Sequence, residues 1–245
     1  MNTNQIKEHI ETDHNNSTLE TYIKEIIYGG NDGIVTTFAV VAGFSGANIG
    51  EHALNITILA VLLFGIANLF ADGAAMGLGN YLSIRSEKKL YKNIYNNEKH
   101  LIKQSYDDEL KETIALYLLN GFNQTDATNL ATTISKNEDY WIRFMVQYEY
   151  GMSNPENDSA LLKGLATFLS FAGFGVVPII PYFFMTDLRS VFIVSILFTL
   201  GALICLGAIR AYTTKESYLL SIIETIIVGG TAAGLAYIIG ILFKI

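Results

Sequence analysis

Five apolar stretches alternate with polar ones along the chain. They run from about residue 26 to 46, 53 to 84, 164 to 186, 190 to 209 and 218 to 243. Each approaches the ~20 consecutive apolar residues that a membrane-crossing helix needs. The pattern predicts an all-α membrane protein with five transmembrane helices. The second stretch is longer than a bilayer requires, so its C-terminal end is expected to continue into water as helix. Between the second and third stretches lies a polar block, residues 85–163, which reads as a small helical domain. Its first helix continues the second span to about Ser105. A second covers about Tyr106 to Leu119 and stops at Asn120-Gly121, a C-terminal cap signal. A third, about Thr125 to Ser135, puts Ala127, Leu130, Ala131 and Ile134 on one face, and a fourth runs from about Glu138 to Tyr150. Pro155 marks the return linker. The expected organisation is a cytoplasmic tail at 1–25, transmembrane helices 1–2 within 26–84, the inserted cytoplasmic domain at 85–163 and transmembrane helices 3–5 within 164–245. Pro178 and Pro181 fall inside the third span (VVPIIPY), where proline frees backbone carbonyls and permits a kink.

Composition supports the membrane reading. Hydrophobic residues make up 51% of the chain and charged residues 16%, where soluble domains carry about 25% charged. The first twenty residues are polar and lack the apolar core of a signal peptide. Lys7 and Lys24 precede the first span, Arg85, Lys88, Lys89 and Lys163 flank the polar block, and Arg210 and Lys215 separate the last two spans; the other side holds only Arg189 and Lys244. Positive residues mark the cytoplasmic side, so the N-terminus is expected in the cytoplasm and the C-terminus opposite. The net charge of −7 argues against a nucleic-acid partner. A single cysteine, Cys205 in an apolar run, excludes a disulfide framework within the chain and a Cys-rich zinc site.

Chemistry enters where polar residues interrupt the spans. In IANLFADGAAMGLGNYLSIRSE, Asn68, Asp72 and Met76 are spaced i, i+4, i+8 and form one narrow helical stripe. A carboxylate inside hydrocarbon costs about 2.5–3.5 kcal/mol on insertion scales, so such acids are functional by default. Carboxylate and amide oxygens beside a thioether suit Fe²⁺ or Mn²⁺ better than Ca²⁺ or Mg²⁺, although Met76 taken alone reads as plain packing. The first span carries YGGNDGIVTTFAVVAG. There Asp32 reads either as a helix N-terminal cap or as a ligand, and Thr36 and Thr37 either add oxygens or bond back to the helix. Gly73 to Gly77 and Gly230 to Gly234 are small-xxx-small patterns that permit close helix contact within or between chains. Glu224 in the last span reads either as a proton site or as a group reaching the surface. In the polar block, Glu109 and Glu112 lie at i, i+3, Glu98 lies on the preceding helix, and Met145 and Glu149 lie at i, i+4 on the fourth. Carboxylates projecting from facing helices are how bundles hold metal pairs, although a solvated helix face carries glutamates too. No Glu-x-x-His pair accompanies them, which weighs against a ferritin-type oxidase.

The segments YGGNDGIVTTFAVVAG, ANLFADGAAMGLGNYLSIRSE and VVPIIPY resemble the vacuolar iron transporter (VIT) family, over nearly the whole chain after residue 24. The resemblance implies five spans, a cytoplasmic helical metal-binding domain after the second, and a homodimer in the lipid bilayer. It further implies export of Fe²⁺, and often Mn²⁺, from the cytosol in exchange for protons. Iron and manganese are then cargo, and no resident cofactor or catalytic residue is implied. Asp32 is similar to the family's transport aspartate and Met76 to its span-two methionine. The family's span-two glutamate falls on Asn68, and Asp72, one turn on, is the carboxylate expected to replace it. Glu98, Glu109, Glu112, Met145 and Glu149 match the family's metal-binding positions, while Leu101 and Val146 stand where a further glutamate and methionine are expected. The expected site is a bacterial inner membrane. The competing expectation is a membrane-tethered di-iron oxidase or storage protein of ferritin-like type.

Overall fold

The computed structural model describes residues 2, 5–6, 9, 17–47 and 54–242. Lys7, Lys244, the first position of the second apolar stretch, residue 53, and the last position of the fifth, residue 243, lie outside the described residues. The ordered elements are helices: α1 (Thr18–Ala47), α2 (Leu54–Gln104), α3 (Tyr106–Leu119), α4 (Gln124–Ile134), α5 (Glu138–Tyr148), α6 (Ala160–Gly175), a 3₁₀ segment (Val177–Phe183), α7 (Leu188–Thr214) and α8 (Tyr218–Leu242). Among the described residues there is no strand. The chain divides into two compact units, one of residues 1–80 with 161–245 and one of residues 81–160, with α2 contributing to both.

Among the described residues three helices are long and apolar enough to cross a membrane: α2 from Thr57, α7 and α8. A fourth joins them if α6 and the 3₁₀ segment, bent by 44°, count as one span. The first expected span is a helix of 30 residues, yet it falls outside that count. Asn31, Asp32, Thr36 and Thr37 dilute its apolar run. It also starts earlier than hydropathy suggested. Ser17 and Glu20 form a reciprocal capping box, with the Ser17 N–H donating to Glu20 Oε2 at 2.7 Å and the Glu20 N–H to Ser17 Oγ at 3.2 Å. That satisfies two otherwise orphaned groups at the helix start and draws residues 18–25 into α1.

In the first unit, α1 meets α6 at backbone distance. A Cβ on Gly33 would lie 2.2 Å from the Phe171 carbonyl oxygen, and one on Gly29 would lie 2.6 Å from that of Thr167. Gly77 on α2 stands in the same relation to the Gly164 carbonyl, at 2.8 Å. Small residues four apart thus serve packing within the chain here, whereas Gly230 and Gly234 face open space. The kink expected at the prolines is present. Pro181 lies inside the 3₁₀ segment, and the Pro178 carbonyl accepts a hydrogen bond from the buried Ser195 hydroxyl of α7 at 2.6 Å. A neighbouring helix thereby satisfies a carbonyl at the break.

In the second unit the helix starts are set by side-chain caps. Asn123 accepts from the Asp126 N–H at 2.9 Å and Asn137 from the Tyr140 N–H at 3.1 Å, each worth about 1 kcal/mol. Gly121, with φ +91°, follows the end of α3, a left-handed position that favours glycine. The core joins Tyr91 and Ile102 of α2 to Trp141, Ile142, Phe144, Met145 and Val146 of α5.

Candidate functional site

Asp32 lies half-buried in the interior of α1, so it is not an N-terminal cap. The Thr36 hydroxyl donates to the Asp32 main-chain carbonyl at 2.8 Å and so bonds back to the helix. Thr37 is fully buried and its hydroxyl has no partner among the described residues. On α2, Asn68 is half-buried, Asp72 is exposed, and Met76 packs against the core formed by Phe38, Leu69 and Phe171. Asp32 on α1 and the Asp72–Met76 stripe on α2 both belong to the first compact unit.

A cavity of about 550 Å³ opens beside Asp32, walled by α1, α7 and α8. Its polar lining includes Lys24, Asn31, Arg210 and Glu224. Glu224 takes neither of its two expected roles alone, because Arg210 Nη1 pairs with Glu224 Oε2 at 2.9 Å while Nη2 reaches Glu216 Oε2 at 3.4 Å. The cation offsets the cost of placing an acid on this helix.

The second unit holds the other set. Glu98 is fully buried, and neither of its carboxylate oxygens has a partner among the described residues. Glu109 is buried, and one of its oxygens likewise has none among them. Burial first, then the charges of Glu109 and Glu149, push the Glu98 carboxyl up to about 8. Burial, with the charges of Glu112 and Asp108, also raises Glu109. Glu149, the C-terminal cap of α5, is raised by burial and by the charges of Glu112 and Glu109. The four glutamates thus act on one another from three elements. They stand apart, however: among the described residues no three His, Cys, Asp or Glu side chains gather closely enough to hold a metal ion. Met145 is fully buried. Its sulfur lies 3.2 Å from the Thr113 hydroxyl, which is also 2.8 Å from the Glu109 carbonyl and accepts the Trp141 indole N–H at 2.7 Å. A cation drawing on that sulfur competes with Thr113.

Residues 23–241 match the family model described as the VIT family. The chain belongs to the VIT family. Vacuolar iron transporter 1 of Tulipa gesneriana is 32% identical over 234 residues, covering 96% of this chain and 91% of the relative. Vacuolar iron transporter 1 of Eucalyptus grandis is 30% identical, covering 88% and 84%, and the vacuolar iron transporter of Plasmodium falciparum is 30% identical, covering 91% and 82%.

Within this VIT-family chain the sequence reading passed over Glu25. It is 5% exposed and its Oε2 has no partner among the described residues. It precedes Asp32 by seven residues, which is within about 20° of two full turns, so both acids lie along one face of α1. The spacing was visible in the sequence, but Glu25 fell within the segment expected to be tail. The capping box that extends the helix is the signal that would have found it.

Proposed function

We propose that the chain is a transmembrane exporter of divalent iron or manganese, moving the cation from the cytosol in exchange for protons and working as a homodimer. What supports this reading is one half-buried acid, Asp32, inside α1 and a second, Asp72, inside the apolar part of α2, in a chain whose relatives are named vacuolar iron transporters. In the proposal α1 and the bent α6 segment join the three apolar helices as spans, giving five. A single copy leaves Asp72 exposed, which is costly against lipid; a second copy would cover it and gather four carboxylates and two Met76 thioethers around one axis. Such carboxylates repel one another when no cation is present. They take up protons as metal departs and give them up as metal enters, which is the minimal chemistry of antiport. Glu25, buried on the Asp32 face, extends the acidic route along α1. The glutamates Glu98, Glu109, Glu112 and Glu149, with Met145, bind the same cation on the cytosolic side.

The test is flux in proteoliposomes loaded at acidic pH and supplied outside with Mn²⁺, or with Fe²⁺ under reducing conditions, while lumenal pH is followed. Metal entry with proton exit, lost in Asp32→Asn, is the expected result. No flux of either metal through folded, inserted protein overturns the proposal.

A further inference from the structure

The second unit contains two cavities that share a wall, and the four glutamates line neither. The first, of about 540 Å³, is aromatic: Tyr117, Phe122, Phe144 and Tyr148 supply ring surface. The rings hold one another in place, with Tyr117 stacked on Phe144 at 4.9 Å and Phe144 against Tyr148 at 4.6 Å. Two amides, Asn120 and Gln147, line the same cavity, each carrying both donors and an acceptor. The second cavity, of about 450 Å³, is basic, lined by Lys88 and Lys92. Tyr91, Arg143 and Asn154 line both, so the guanidinium stands at the boundary.

Of the cations lining the basic cavity, Arg143 is paired with Asp139, whereas Lys88 and Lys92 are not paired with a carboxylate among the described residues. The acids of that cavity are Asp139 and Glu156. Asp139 is already engaged by the Arg143 guanidinium and the Tyr95 hydroxyl, which orients Arg143. Lys88 Nζ donates to the Glu156 main-chain carbonyl at 3.0 Å, so its charge is not cancelled by a carboxylate there. Both volumes fall in the range of small-molecule sites, about 300–1,000 Å³.

A flat ring with hydrogen-bonding edges matches the aromatic, amide-bearing chamber, and a phosphate matches the basic one. A ligand that joins them must carry both within a short span. We propose that these two cavities form one nucleotide site, with the base against the ring-lined wall, the phosphates on Lys88 and Lys92, and Arg143 at the boundary. A lipid headgroup or free phosphate satisfies only the basic half. The site bears on regulation, because Arg143, Gln147 and Tyr148 belong to α5, the helix that also carries Met145 and ends at Glu149. This inference does not depend on the transport reading.

The experiment is calorimetric titration of the full chain in detergent micelles, in metal-free buffer, with AMP, ADP, ATP, GTP, adenosine and inorganic phosphate as separate probes. Lys92→Ala and Gln147→Ala are chosen because both side chains are exposed, and the emission of the single tryptophan, Trp141, checks folding. At least one nucleotide is expected to bind below about 100 μM, with adenosine and phosphate each at least about tenfold weaker. Lys92→Ala should weaken the nucleotide and spare adenosine, while Gln147→Ala should weaken both. Four outcomes overturn the proposal: no nucleotide binding to folded protein near 1 mM, phosphate binding as tightly as the nucleotide, nucleotide affinity unmoved by either variant, or Lys92-dependent binding to phosphatidylglycerol vesicles that ATP does not displace.

Discussion

Replacing Glu98 by glutamine should make the second unit less sensitive to alkali. In the wild-type chain burial and the neighbouring glutamates raise this carboxyl from 4.5 to about 8. The folded chain therefore holds the proton more tightly than the unfolded chain does. Its contribution to stability is complete below pH 4.5 and is lost as pH rises toward 8. Between pH 6 and 8 the unfolded carboxyl is already ionised while the folded one is still giving up its proton, so stability should fall by roughly 2 kcal/mol. Glutamine keeps the shape and removes the titration, and it also relieves the charge pressing on Glu109. The assay is denaturant unfolding of the full chain in micelles, followed by fluorescence. The chain has a single tryptophan, Trp141, buried in the core of this unit, so the signal reports this unit and not the membrane helices. The unfolding midpoint of the wild type should drop clearly from pH 6 to pH 8, and that of Glu98→Gln by less than half as much. Equal wild-type stability at the two pH values, or an equally steep fall in the variant, would refute the placement of Glu98 as a buried, unpartnered acid. If the transport reading holds, Mn²⁺ should restore wild-type stability at pH 8 and help the variant less.

Three further outcomes test other parts of the structure. Gly33→Ala places a methyl 2.2 Å from a backbone oxygen of α6 and should abolish stable expression, whereas Gly230→Ala, in open space within the chain, should express normally; size-exclusion profiles of the two separate the cases. Thr113→Val removes the acceptor of the Trp141 indole, which should cost about 1–3 kcal/mol in the same fluorescence-detected unfolding and shift the Trp141 emission in the folded state. Asp72→Asn should reduce proton-coupled flux in proteoliposomes by at least about tenfold if Asp72 supplies the carboxylate that Asn68 lacks, and wild-type flux in that variant would sink the substitution idea.

The parts of this molecule that hydropathy and spacing made legible are those with a local cause. The helix at Tyr106–Leu119 ended where Asn120-Gly121 said it would, and the break at Pro178 and Pro181 followed from two missing N–H groups. Asp32 and Asp72 were conspicuous because an acid in an apolar run carries a cost visible in one dimension. What stayed hidden was decided by partners distant in sequence. Whether Glu224 stands free or pairs with Arg210, fourteen residues earlier, depends on how α7 folds back on α8, which spacing along the chain does not give. Whether Met145 offers its sulfur depends on Thr113, one helix away in space. Glu98 is the sharpest case: glutamate on a charged helix reads as solvated surface, and only the packing of this unit makes it a fully buried acid with no partner among the described residues. A group in that position persists against a stability cost that a neutral side chain would avoid. That cost falls away when a proton or a cation arrives. The same logic that singled out Asp72 in the membrane therefore singles out Glu98 outside it, once the fold has shown where it lies.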